Sequence, residues 1–90
     1  METVQSEQHI HLFLKKAISS LLERPELLEE LTADTQLSEI GMDSVMLVNL
    51  MVHIEQEYQV FYEDDELLEE NFATIGKIGQ IINDKVSSGV

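Results

Sequence analysis

Glu39 to Tyr58, EIGMDSVMLVNLMVHIEQEY, is the stretch on which the reading of this chain turns. Gly41-Met42-Asp43 forms a polar turn, and from Ser44 onward apolar residues recur at helical spacing, predicting a helix over 44–58. At about 100° per residue, Leu47, Leu50, Met51, Ile54 and Tyr58 share one sector and form an ordinary core stripe. Val45, Val48 and Val52 fall in a different sector, turned away from the core and shared with Asn49 and Gln56. Met46 lies on a further side, beside His53. A small bundle covers one face of such a helix. The valine face is therefore expected to be exposed, and an exposed apolar patch usually marks a contact surface. The alternative is a bundle that wraps further round the helix. Ser44 stands at the end of the valine stripe, where the bland role for Asp43 or Ser44 is to cap the helix.

Outward from this helix, every other segment also reads as helix or connection. Ile10, Phe13, Leu14, Ala17, Ile18 and Leu21 predict an amphipathic helix over about 7–22, with Ser6 as its N-cap and Lys15, Lys16 and Ser19 outside. Pro25 to Leu31 predicts a short helical turn, since proline suits the first helical position and Glu26 and Glu29 suit the positive end of the dipole. Residues 32–43 read as a loop pinned by Leu37 and Ile40. A short third helix is expected over about 64–70, capped by Asp64. Thr74 is the expected N-cap of a last helix with the stripe Ile75, Ile78, Ile82 and Val86, Ile81 alongside. Gly76 and Gly79 each cost that helix up to about 1 kcal/mol relative to alanine, so they either permit close packing or leave it loose. The expected fold is all-α, a four-helix bundle of three longer helices and a short third one, in a single domain over 1–90 with its core over about 8–86 and frayed termini.

Composition narrows the function. The 90 residues hold 18 acids against 5 bases, a formal charge of −13, and no cysteine. That charge repels nucleic acid and suits a partner with a basic surface. The absence of cysteine removes disulfides and thiolate metal sites and is compatible with the cytoplasm. No apolar run is long enough for a membrane span, and METVQSEQHI lacks the pattern of a signal peptide. Catalysis by a serine triad needs a positioned base, yet His53 lies over two turns beyond Ser44 and His9 and His11 are on another element. The three histidines read as surface residues, and no catalytic residue is expected. Glu63-Asp64-Asp65-Glu66 lacks the alternating ligands and central glycine of a calcium loop, so no metal site is expected either.

Residues 34–58, DTQLSEIGMDSVMLVNLMVHIEQEY, resemble the carrier-protein family, the acyl and peptidyl carriers of fatty acid, polyketide and nonribosomal peptide synthesis. The likeness extends over about 8–86. It is carried by Asp34 and Leu37, by Gly41-x-Asp43-Ser44, by Glu55-x-Glu57-Tyr58, and by Phe72-Ala73-Thr74-Ile75 before the last helix. The resemblance implies that Ser44 is the attachment site of 4′-phosphopantetheine, installed from coenzyme A by a phosphopantetheinyl transferase with Mg²⁺. It also implies acyl- or aminoacyl-loading and synthase enzymes as partners of a monomeric carrier, with Asp43, Val45, Met46, Val48, Asn49 and Val52 as the partner-contact residues. The short length and single domain suggest a freestanding carrier, and an excised domain of a synthase reads much the same. Aspartate before the serine looks like acyl carriers, whereas peptidyl carriers more often have Gly-Gly-x-Ser. Val45 replaces the usual leucine, and Met46 and Asn49 stand where acids are common. These departures imply a more hydrophobic interface, closer to carriers of polyketide or nonribosomal peptide metabolism. The competing expectations are a peptidyl or aminoacyl carrier with the same arm, and an acidic interaction module that never carries one.

Overall fold

Four α-helices and three 3-10 turns make up the computed structural model, which describes residues 7–88 and their side chains over 8–86. Helix α1 is Glu7–Leu21, α2 Leu27–Glu30, α3 Ser44–Tyr58 and α4 Ile75–Ser88. The expected all-helical bundle is thus what the chain forms. The Ser6 cap and the frayed ends, 1–6 and 89–90, lie outside the described residues.

The core follows the stripes. Ile10, Leu14 and Ile18 of α1, Leu50 and Ile54 of α3, and Ile75, Ile78 and Ile82 of α4 are all buried. Leu27 of α2 and, from the connecting segments, Leu31, Leu37, Met42, Tyr62 and Phe72 complete it. Two expectations on α1 are corrected. Ser19 is buried rather than outward, and its hydroxyl donates to the Lys16 carbonyl at 3.0 Å, which satisfies it inside its own helix. His11 is half-buried rather than a surface residue, because α1 packs closely on α4. A Cβ added to Gly79 would lie 3.1 Å from the His11 ring, and one added to Gly76 would lie 3.2 Å from the Ala33 carbonyl oxygen. Both glycines therefore serve close packing.

Helix α1 ends in a Schellman motif. The N–H of Arg24 donates to Ser19 O at 2.9 Å and that of Glu23 to Ser20 O at 3.1 Å, with Glu23 at φ 55°. That left-handed conformation costs a residue with a Cβ about 1 kcal/mol or more. Glu23→Gly is therefore expected to raise stability by up to about 1 kcal/mol, seen as a higher midpoint in urea unfolding at unchanged slope. Pro25 lies ahead of α2 rather than at its first position, and Glu26 is the N-cap residue.

The short third helix expected over 64–70 is replaced by two 3-10 turns, Asp64–Glu66 and Glu69–Phe72, separated by Leu67 and Leu68. The cap is Glu63, not Asp64. Glu63 and Glu66 form a reciprocal capping box, with the Glu63 N–H donating to Glu66 Oε1 at 2.7 Å. Lys85 on α4 decides the geometry. Its Nζ donates to both Glu66 oxygens at 2.7 and 2.9 Å and to Phe61 O at 2.9 Å, and lies 4.8 Å from the Tyr62 ring centroid. The Glu63 N–H and the Lys85 ammonium hold the Glu66 carboxyl below the usual carboxylate range. With Asn71 Nδ2 donating to Glu66 O at 2.8 Å and Phe72 in the core, the segment is fastened at both ends.

Candidate functional site

The chain approaches Ser44 through a sequence of fixed turns. Leu37 is buried, and its N–H donates to Ala73 O at 2.9 Å, fastening the loop to the start of α4. The N–H of Gly76 returns the bond, donating to Ala33 O at 3.0 Å. Thr74 caps α4 as expected, with Oγ1 accepting from the Lys77 N–H at 3.1 Å. Leu37–Ile40 is a 3-10 turn, closed by Gly41 at φ 103° and ψ 10°, a conformation that requires glycine. Met42 then turns into the core, and the chain extends through Asp43 at φ −100° and ψ −177°. Met42 thus departs from the polar turn expected of Gly41-Met42-Asp43, because the reversal at Gly41 sends its side chain inward.

Asp43 is the N-cap of α3. Its Oδ1 accepts from the Met46 N–H at 2.9 Å, and its carbonyl accepts from the Leu47 N–H at 2.9 Å. Ser44 is thereby relieved of capping. It is the first residue of α3 and exposed, with the N–H groups of Ser44 and Val45 without intrahelical acceptors. His53 lies nine residues further on, roughly 13 Å along the helix axis, so it cannot serve this hydroxyl as a base.

The valine face is as exposed as its angles predict. Val45 is 68 % accessible, Val48 51 % and Val52 41 %, with Asp43 and Asn49 also exposed. Met46 departs from this group: it is half-buried and packs against the core. From Ser44 to Ile54 the helix carries no acidic or basic residue other than His53, in a chain of charge −13.

A groove of about 230 Å³ opens beside Ser44. Leu47, Val48 and Met51 of α3 form one side, and Leu67, Leu68 and Phe72 the other, with Glu69 at the same wall. The helix expected over 64–70 would include Leu67 and Leu68. The break between the two 3-10 turns instead leaves them 40 % and 48 % accessible, facing this groove. A second cleft of about 370 Å³ lies across Leu47 and Phe72, lined by Gln36, Ser38, Met42 and Glu70.

The arrangement suits a bulky anionic substituent on the hydroxyl. A phosphodiester on Ser44 would meet two free amides and the positive end of the α3 dipole. The neighbouring Asp43 carboxylate is already occupied by the Met46 N–H.

Comparison with known proteins agrees with this geometry. The family described as "Phosphopantetheine attachment site" matches residues 13–82. The chain is 27% identical over 67 residues to "Aminoacyl carrier protein 1" of Bradyrhizobium diazoefficiens, which covers 74% of each protein. No solved structure gives a significant match.

Proposed function

The chain belongs to the phosphopantetheine-attachment family, and from that premise we propose that Ser44 is the residue that carries the arm. The protein is a carrier: it holds acyl or related groups for other enzymes and is loaded by a phosphopantetheinyl transferase. When attached, the 4′-phosphopantetheine arm supplies the thiol that the cysteine-free chain lacks, on which cargo is held as a thioester. What the chain itself contributes is an exposed hydroxyl at the first position of α3, and that observation carries the proposal. The hydroxyl needs no base of its own because the transferase provides one. Attachment makes Ser44 a phosphodiester, a permanent anion stabilised by the amides of Ser44 and Val45.

The test is direct. Incubation with coenzyme A, Mg²⁺ and a broad-specificity transferase is expected to add one phosphopantetheine mass to the intact protein. An unmodified mass on folded protein would favour the competing reading, an acidic interaction module that never carries an arm.

We read Val45, Val48, Asn49 and Val52, with Asp43 at their end, as the surface that loading and synthase enzymes grip, and Met46 as support beneath it. Beyond Asp43 this face carries no charge, which points to a largely apolar partner surface. Val48→Asp is expected to slow transfer to a partner at least tenfold, because a carboxylate would be desolvated in the contact. Its effect on folding stability should stay within about 0.5 kcal/mol, since Val48 is exposed. Transfer by the unaltered protein should change little with ionic strength. Loss of fold in Val48→Asp would show that the residue belongs to the core instead. The carrier acts in this reading as a monomer, in the cytoplasm.

A further inference from the structure

We propose that the seam between α1 and α3 is a second docking surface, and that it takes an amphipathic helix of a partner protein whose carboxylate side chain sits among Lys16, Ser20 and His53. A groove of about 260 Å³ opens along this seam, lined by Phe13, Lys16, Ala17, Ser20 and Leu21 of α1 and by His53 of α3. At about 100° per residue, His53 falls outside the sector of Val45, Val48 and Val52, so the seam and the valine face are separate surfaces of one helix. The seam also stands apart from the arm, because its donors are in place whether or not Ser44 is loaded.

Charge singles this groove out. The chain has 18 acids against 5 bases. Both grooves at Phe72, and the one at the start of α1, include at least one carboxylate among their lining residues. This groove includes none. It carries instead three side-chain donors, the Lys16 ammonium, the Ser20 hydroxyl and the His53 imidazole. All three are exposed, and none has a partner among the described residues. Two other cations are committed elsewhere, Lys85 to Glu66 and Arg24 to Glu26. Half-buried Phe13, Ala17 and Leu21 form an apolar floor between the donors. A carboxylate with apolar neighbours meets both features, since it accepts from the donors while its neighbours cover the floor. A basic anchor would meet the Lys16 ammonium as a like charge.

The length of the seam suits a helix. Phe13 and Lys16 also line a second groove of about 180 Å³, with His9, Leu12 and Glu57, so the surface continues toward the start of α1. From His9 to Leu21 α1 rises about 18 Å, which matches about three turns of a docked helix. Ala17 and Ser20 are small and let a partner backbone approach α1 closely. Glu57 is the one acid along this seam, and it lies one turn beyond His53, about 6 Å along the axis of α3. It sets the register: a docked helix with its carboxylate at Lys16 places a basic residue one turn away, against Glu57. Recognition of a helix in a groove reads anchors at such i and i+4 spacing. Acids elsewhere on the chain are screened beyond about 8 Å at physiological salt, which leaves the donors of the groove to decide the contact.

The experiment titrates the full chain with three synthetic helical peptides that share one leucine stripe and one lysine a turn from the central anchor. The anchor itself is glutamate, glutamine or lysine. Amide and methyl NMR locates the site, and fluorescence anisotropy of labelled peptide gives Kd. The glutamate peptide is expected to shift Ala17, Leu21 and His53, to leave Val45 and Val48 unmoved, and to bind about fivefold tighter than the glutamine peptide, the upper range for an exposed ion pair. Lys16→Gln should remove that preference. Ser20→Phe fills the groove from an exposed position, so it should weaken all binding at least tenfold while phosphopantetheine loading proceeds unchanged. Equal affinity of the glutamate and glutamine peptides would overturn the carboxylate assignment, and tighter binding of the lysine anchor would overturn the sign of the partner. Shifts confined to the valine face, or none at millimolar peptide, would overturn the seam as a docking surface. Ser44→Ala should bind the glutamate peptide as well as the unaltered chain does, so the seam and the arm can fail separately.

Discussion

Ser44→Ala is expected to give a folded protein that cannot be loaded: no phosphopantetheine mass after treatment with coenzyme A and transferase, against complete conversion of the unaltered chain. The two halves of that result have separate causes. Loading fails because the only atom removed is the oxygen that would form the bond to phosphorus. Folding survives because Asp43, not Ser44, caps α3 through the Met46 N–H, and because Ser44 is exposed. Alanine is also the better helix former, so stability should change by no more than about 0.5 kcal/mol. Asp43→Ala is the informative companion. It loses a cap worth about 1 kcal/mol yet keeps the hydroxyl, so it should still load while unfolding more readily. An adduct that persists in Ser44→Ala would place attachment on another hydroxyl, and exposed Ser20 and Ser38 are the side chains that peptide mapping would then examine.

How much of this was legible in the sequence depended on how local the deciding contacts are. The stripes of α1, α3 and α4 repeat within a few residues, and Thr74 caps its helix by a bond three residues away, so each could be read directly. The outward valine face followed from the same angles. The segment after α3 could not be read this way. Its turns are shaped by Lys85, reaching Glu66 from 19 positions along the chain, so a run that looks helical by itself divides in two. The groove was hidden for that reason: Leu67 and Leu68 form a wall only because the division exposes them opposite Val48 and Met51. His11 was misplaced because a close approach of α1 and α4 over Gly79 is a property of the pair, not of either helix. Ser44 was legible only through its setting, since Gly-x-Asp-Ser by itself is no more than a capped turn.

The second large effect concerns how that setting is held. Leu37→Ala is expected to cost about 3 kcal/mol, within the range for deleting a buried leucine side chain, and to lower Tm by roughly 10–20 °C. Leu37 is 1 % accessible, and its backbone ties the loop both to the start of α4 and to the turn before α3. Its N–H bonds to Ala73 beside the α4 cap, and its carbonyl accepts from Gly41 and from Met42 at 3.2 Å, the turn that delivers Asp43 and Ser44. Removing the side chain leaves these bonds spanning a void, so the turn before α3 should loosen while α3 itself persists. Loading should then slow several-fold per folded molecule, because the transferase must capture a hydroxyl whose position fluctuates. Leu14→Ala provides the comparison. It removes an equally buried leucine at a similar cost in stability, but from α1 rather than from the loop that leads to Ser44. Loading rates measured well below both unfolding midpoints should therefore fall for Leu37→Ala and hold for Leu14→Ala. If both variants slow alike, the anchored loop does not position the serine, and general stability alone governs how well the carrier is loaded.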